Sequence, residues 1–395
     1  VAAEVANGAW AALCASARRE CAFLRSSPWD IALVGWLPWL LLAVVMFVLG
    51  ASVLRDVPIA VVDDDASGSS RELIRQLDAA PGIYVRTVPA SLAEAWSQVR
   101  SLDVYAVVHI PRDATRRMAR GEAGTLFAFY NASYLTIGQS ASRDIGAVVQ
   151  AHNAQAAIGR GKYLRGASAI SAVPVQVQST VLFNPARSYE HFLGGLLLPA
   201  ILQLALCLAV VAALGRELRD GTAGAWLDAC GGRLLPAVIG KVAPYLVLFT
   251  VYGALAVVWV AYLRGDGVAG SFAMLAGGYL AMYLAYAAIG LLLVGLTRNM
   301  ATALSLSGMY AGVSLAFSGS TFPVIEASTF AQVWSRLLPY TAYVKLQAQQ
   351  IDIGSPFSVS LWQIGAMLLF VVVAGIPGFV AFGRAARDPA SWGQR

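Results

Sequence analysis

Apolar residues run almost unbroken from Ile31 to Val53, give way to a mixed polar pattern for well over a hundred residues, and return near Phe192. A bilayer crossing needs about 20 mostly apolar residues. By that measure the chain predicts six transmembrane helices: Ile31–Val53, Phe192–Leu214, Pro236–Leu263, Phe272–Leu296, Ala301–Ser318 and Leu361–Phe382. The first run is too long for the apolar core of a signal peptide and follows thirty residues that include Arg18, Arg19 and Arg25, so it is expected to be a retained span. The predicted fold is a polytopic α-helical membrane protein with six transmembrane helices and an α+β extracytoplasmic domain, residues 54–191, inserted between helices 1 and 2.

Within the insertion the apolar period changes from that of a spanning helix to short runs and alternations. Ile59–Val62, Tyr84–Val88, Val104–Ile110 and Thr125–Tyr130 predict strands, and Val173–Phe183 a further strand leading back to the membrane. Helices are expected at Leu92–Val99, over about Gly138–Leu164, and from a capping-box pattern at Ser69-Ser70-Arg71-Glu72 through Leu77. A small mixed sheet with helices packed on it results.

Composition reinforces the membrane reading, with 58% hydrophobic residues, 13% charged residues and a mean hydropathy of +0.64. Basic residues in short loops set orientation. Arg18, Arg19, Arg25, Arg216, Arg219, Arg233, Lys241, Arg298, Arg384, Arg387 and Arg395 fall on one side and Arg264, Arg336 and Lys345 on the other, eleven against three. Both termini (the 1–30 segment and the 384–395 tail) and the 215–235 loop are therefore expected in the cytoplasm, and residues 54–191 and the 319–360 hairpin outside. Cys14, Cys21, Cys207 and Cys230 all lie in cytoplasmic or membrane segments, so the outer domain is expected to hold together through its own core without disulfides.

No span carries a charge at its middle. An ion-driven carrier normally buries Asp, Glu, Arg or His there as a relay, so a transporter of this kind takes its energy from elsewhere. Gly161-Lys162-Tyr163 and Gly240-Lys241-Val242 lack the spacing and the hydroxyl of a phosphate-binding loop, which places ATP chemistry off this chain. Asp63-Asp64-Asp65 offers carboxylates suited to a hard cation, but a strand followed by acidic residues and a helix start reads more simply as a solvated turn; no metal site is assigned. His109, His152 and His191 are far apart and read as ordinary surface or packing histidines. Catalytic residues are not expected.

The loop between the second and third spans is short, charged and punctuated by glycine: Arg216-Glu217, then Asp220-Gly221-Thr222, Trp226-Leu227, and Gly240-Lys241 with Pro244-Tyr245. Such a turn can hold a brief helix along the lipid surface, with Trp226 and Leu227 toward the headgroups and the charges toward solvent or a partner. It either anchors the chain or couples it to a cytoplasmic partner.

These motifs resemble the signature of permease subunits of type 2 ATP-binding-cassette exporters. Arg25-Ser26-Ser27-Pro28-Trp29-Asp30 is similar to that family's amphipathic elbow, and Ser318 to Pro323 with Leu338 to Thr341 is similar to its outer hairpin. The large domain after the first span resembles the subgroup that exports drugs and other amphipathic compounds. Two departures stand out: Asp220 occupies the place of a usual Glu, and Asp228 to Gly232 replaces a proline-bearing turn.

The resemblance implies a permease half that moves amphipathic or hydrophobic compounds, drugs or lipids, outward across a bacterial inner (plasma) membrane. It implies partner ATPase subunits holding ATP and Mg, a second permease half, identical or homologous, and an extracytoplasmic adaptor as a further candidate. No cofactor sits on this chain and no nucleic acid is involved. Arg216, Glu217, Asp220, Gly221, Thr222, Trp226 and Lys241 would form the ATPase-coupling loop, and Arg18, Arg19, Arg25 and Pro28 the elbow. Candidate pathway residues are Gln203, Ser305 and the Tyr279, Tyr283, Tyr286 face of the fourth span, the last also readable as packing. Gly308 and Gly312 form a small-residue pair for close helix approach, within or between subunits. The competing readings are a membrane-anchored sensor or assembly protein whose outer domain binds a ligand, and an ion-coupled carrier.

Overall fold

A backbone inside a bilayer finds no water for its N–H and C=O groups, so an apolar run closes its hydrogen bonds on itself as a helix. The computed structural model describes residues 2–49, 56–112, 114, 117, 125–131, 135–164, 190–263, 267–321, 324 and 327–393. They fall in two compact units, Val1–Ser52 with Leu182–Arg395, and Val53–Val181.

In chain order, helix α1 spans Ala2–Ser26. A helical turn at Pro28–Ile31 and a π-turn at Ala32–Trp36 lead into α2, Leu37–Leu49. The apolar stretch Val34–Val45, which runs from the π-turn into α2, is shorter than the predicted first span, and residues 50–53 of that span lie outside the described residues.

The second unit follows with strand β1 (Val57–Asp63), helix α3 (Gly68–Asp78), strand β2 (Ile83–Thr87), helix α4 (Leu92–Arg100), strands β3 (Ala106–Ile110) and β4 (Phe127–Tyr130), and helix α5 (Leu135–Leu164). The sheet is mixed, in the order β2-β1-β3-β4: β1 pairs parallel with β2 and β3, and β4 pairs antiparallel with β3. Strand alternation sorts the side chains. Ile59, Val61, Ala106, Val108 and Ile110 face α3 and α5, packing on Leu73, Leu77, Ala141 and Ile145. Ala60, Val62 and Val107 face α4 and pack on Ala95.

The start of α3 differs from expectation. Ser67, not Ser69, is the cap, and its side chain and that of Ser70 exchange hydrogen bonds with each other's backbone amides. Glu72 instead pairs with Arg75 on the helix surface. Asp63 accepts from the amides of Asp65 and Ala66 and from Ser70 Oγ, which makes the acidic triplet a turn clamp. No group of His, Cys, Asp and Glu suited to a metal is found among the described residues. His109 lies against Asp64, His152 against Ser69 and Gln76, and His191 against Asp352. The strand predicted at Val173–Phe183 lies outside the described residues.

The first unit resumes with a π-turn, Glu190–Gly194, and then α6 (Gly195–Arg219), α7 (Ala223–Ala229), α8 (Leu234–Val257), α9 (Phe272–Thr297), α10 (Met300–Gly312), α11 (Thr329–Arg336), α12 (Pro339–Ala348) and α13 (Phe357–Arg387). With their extensions, five helices are long and apolar enough to cross a membrane: His191–Arg219, Leu234–Leu263, Phe272–Thr297, Met300–Phe317 and Phe357–Arg387. Helix α9 is the hub, in contact with α6, α8, α12 and α13. Two-thirds of its apolar window is buried, against 22% for Met300–Phe317 and 17% for α13, so those two present their apolar faces outward.

Helix α12 is stitched to the start of α6, where Tyr340 Oη donates to the Leu196 carbonyl and Gln347 Nε2 to that of Gly195, both at 2.7 Å.

Candidate functional site

Helix α1 has two faces set by its 3.6-residue period. Ala12, Ser16 and Glu20 are buried, while Arg18 and Arg25, seven apart, are exposed on another side. The buried face lies on α8. An added Cβ at Gly240 would stand 2.3 Å from the Leu13 carbonyl oxygen, so the two backbones meet there.

That contact delivers Glu20 to the junction of α6 and α8, where it meets Arg216 and Glu217 near the end of α6 and Lys241 two turns into α8. Lys241 Nζ donates to Glu20 Oε2 at 2.6 Å and to Glu217 Oε1 at 2.7 Å. Arg216 Nη2 donates to Glu20 Oε1 at 2.6 Å, and Tyr245 Oη donates to the same oxygen at 2.6 Å. Glu217 Oε2 accepts from Arg19 at 3.0 Å and from Thr222 Oγ1 at 2.5 Å. The Arg216 guanidinium also stacks on Phe23, 3.4 Å from the ring centroid.

Glu20, Glu217, Arg216 and Lys241 are all buried, and two anions offset two cations. An isolated charge would be strongly disfavoured here; the closed set of ion pairs and hydrogen bonds makes burial tenable. Burial by itself would raise the Glu20 carboxyl, but the charges of Lys241 and Arg216 and the hydrogen bonds from Lys241 and Tyr245 outweigh it and hold its pKa below the ordinary value.

The turn after α6 follows from the same set. Gly221 adopts φ +69, a left-handed conformation that glycine tolerates, and this swings Thr222 back to Glu217. Asp220 and Arg219 stay exposed and pair with each other at 2.7 Å, which lowers the Asp220 pKa chiefly through the hydrogen bond.

Trp226 and Leu227 do not face headgroups. Both are buried, because α1 covers α7: Trp226 Nε1 donates to Ser16 Oγ at 2.9 Å, and Ser16 Oγ donates to the Ala237 carbonyl at 2.7 Å. The chain end also folds back, with the Trp392 ring on Gly224 and the Gly393 amide donating to the Leu218 carbonyl.

Of the predicted loop and elbow residues, the structure thus brings Arg19, Arg216, Glu217, Thr222, Trp226 and Lys241 together, with Arg19 and Thr222 at the half-buried edge of the set. It leaves Arg18, Arg25, Pro28, Asp220 and Gly221 at the surface. Glu217 is buried, with both carboxylate oxygens engaged within the chain. Glu20, Ser16 and Phe23 belong to the network without any sequence motif to mark them, and Tyr245, part of the Pro244-Tyr245 motif, joins them through Glu20.

The pathway candidates separate. Tyr279, Tyr283 and Tyr286 share a face but are fully buried in the hub, against Tyr343, Phe249 and Tyr310, which is the packing arrangement. Gln203 is buried between α6 and α10; its Nε2 donates to the Ala311 carbonyl at 2.9 Å and its Oε1 has no partner among the described residues. Ser305 is exposed and turns back to the Ala301 carbonyl at 3.1 Å. A Cβ at Gly308 or Gly312 would meet nothing within 4 Å, so no helix of this chain among the described residues uses that pair.

A family model described as ABC-2 family transporter protein matches residues 29–380. No curated protein matches the chain.

Proposed function

The chain belongs to the ABC-2 family of transporter proteins, and from that premise we propose that it is the permease half of an ATP-driven exporter of amphipathic or hydrophobic compounds, drugs or lipids. As the membrane component of such a transporter it is not itself catalytic, and ATP and Mg belong to a partner ATP-binding-cassette subunit. In this reading the helical run from Pro28 is the first of six spans, both termini are cytoplasmic, the Val53–Val181 unit is extracytoplasmic, and two halves pair in a bacterial inner membrane.

The observation that carries the proposal is the buried Glu20–Lys241–Glu217 bridge. It ties the elbow helix to the ends of two spans on the side where the ATPase would dock. Force applied to the exposed arginines Arg18 and Arg25, or to the Arg219–Asp220 turn, would reach α6 and α8 together, because sliding one helix alone strands a buried charge. Closure of the ATPases on ATP would then tilt both spans as a unit and move cargo outward. The exposure of Asp220, against the burial of Glu217, supports Asp220 as the residue of the loop that meets a partner. In the extracytoplasmic unit, β4 exposes Phe127, Phe129 and Tyr130, an apolar edge that supports adaptor docking.

The test is purification from native membranes followed by reconstitution. Copurification of an ATP-binding-cassette ATPase, with activity raised by amphipathic compounds and lost in Asp220→Arg with Arg18→Glu, is the expected result. A chain that travels without an ATPase and binds a ligand through its outer unit would be the sensor instead. Transport that collapses with the ion gradient while ATP remains would indicate a carrier.

A further inference from the structure

Away from the charge network, the start of α8 and the end of α13 enclose a cleft of about 500 Å³. Leu234 forms one wall; Phe379, Val380 and Gly383 form the other, and Arg384, Arg387 and Asp388 stand at its mouth. The helices meet closely beside it, where a Cβ on Gly383 would lie 2.6 Å from Leu234 Cδ2.

The chemistry of the mouth is cationic. Arg384 and Arg387 are exposed, three residues apart and hence side by side on the last turn of α13, and neither forms an ion pair among the described residues. Asp388 does not neutralise them, because its carboxylate faces Arg298 at 3.7 Å. Below the arginines the same helix exposes Val373, Ile376 and Val380, spaced three and four residues apart. From Ile376 to Arg384 the helix rises about 12 Å at 1.5 Å per residue, close to the roughly 15 Å depth of one leaflet's hydrocarbon.

A cationic mouth over an apolar cleft on a membrane-crossing helix matches a molecule with an anionic head and an apolar tail. We propose that the cleft is a binding site for an anionic phospholipid, whose phosphate bridges Arg384 and Arg387 while an acyl chain lies against Leu234, Phe379 and Val380. The planar guanidinium forks suit phosphate oxygens, and basic pockets between membrane helices favour such headgroups. Snorkelling accounts for an arginine at the end of a smooth helix; it does not account for a walled cleft under two adjacent unpaired ones. The inference uses the membrane placement of α13 and holds whatever the protein transports.

The experiment uses the full chain purified in a mild zwitterionic detergent and titrated with phosphatidylglycerol, phosphatidylcholine or inorganic phosphate, with binding read by native mass spectrometry and thermal shift. Phosphatidylglycerol should be retained and should raise the melting temperature, and phosphatidylcholine and phosphate should not. Arg384→Gln with Arg387→Gln, both at the surface, should weaken phosphatidylglycerol about thirtyfold, the effect of removing two interfacial cations. The double lysine variant should recover part of that loss, and Arg336→Gln none of it, because it should lose nothing. Equal retention of both lipids, unchanged retention in the glutamine variant, or saturation by inorganic phosphate alone would each overturn the lipid assignment.

Discussion

Glu20 and Lys241 are 221 residues apart and meet at 2.6 Å, each buried, where α1 packs on α8. Neither charge is tolerable there alone. Replacing one of them leaves the buried set one charge short, with Lys241 facing only Glu217 or Glu20 facing only Arg216, a loss of up to about 3–5 kcal/mol in comparable sites. Glu20→Gln and Lys241→Met should each lower the melting temperature of the detergent-solubilised protein sharply. The double variant should lose clearly less than the two singles combined, and a strictly additive result would argue against direct pairing.

Acid should probe the same contact. The Glu20 pKa is lowered in the folded protein, so its stabilisation is complete above the ordinary value of 4.5 and disappears as pH falls through the lowered folded value. Melting temperature measured between about pH 3 and 7 should fall more steeply on the acid side for the native protein than for Glu20→Gln. Parallel curves would remove Glu20 from the acid response.

Gly240→Ala should separate α1 from α8, because the new Cβ would stand 2.3 Å from a carbonyl oxygen that cannot rotate away. Overpacking of this kind costs about 1–3 kcal/mol. Gly277 lies in α9 with nothing within 4 Å of its Cβ position, and Gly277→Ala should be neutral or gain about 0.5–1 kcal/mol from helix propensity. Equal melting temperatures for the two variants would contradict the close approach.

Gly308→Leu and Gly312→Leu should leave the melting temperature of the single chain within about 0.5 kcal/mol equivalents, as surface changes do, because each position opens onto empty space. If two halves pair along this face, the same variants should shift the reconstituted protein from dimer to monomer in light scattering and reduce export. A full dimer population would dissociate the glycine pair from the subunit contact.

Gln203→Leu removes one hydrogen bond to Ala311 but also an unpartnered buried oxygen, so stability should change by no more than about 1 kcal/mol. A fall in export at normal expression would then report a role in the path. Unchanged export would leave Gln203 as a strut between α6 and α10.

Legibility followed the range of the interactions. The spanning helices and the alternation of β1 and β3 were readable because lipid and a half-buried sheet impose periods on neighbouring residues. The cap of α3 was misplaced by two residues, since Ser67 and Ser69 look equivalent until the Asp63 turn fixes where the helix begins. The 215–235 loop reads in sequence as a stretch of charge, yet the inward turn of Glu217 and the burial of Trp226 have no local signal, because both depend on α1 covering this loop.

The sequence by itself determined that this is a polytopic membrane chain and where its five long apolar helices lie, which follows from local hydrophobicity; the segment with the family's motifs is identified by resemblance. Only the tertiary structure decided which charges are hidden and which are offered. Arg216 and Glu217 are neighbours in sequence, but helix geometry sends one to Glu20, 196 residues away, and the other to Lys241, 24 residues away on the next helix, and no local pattern encodes either pairing.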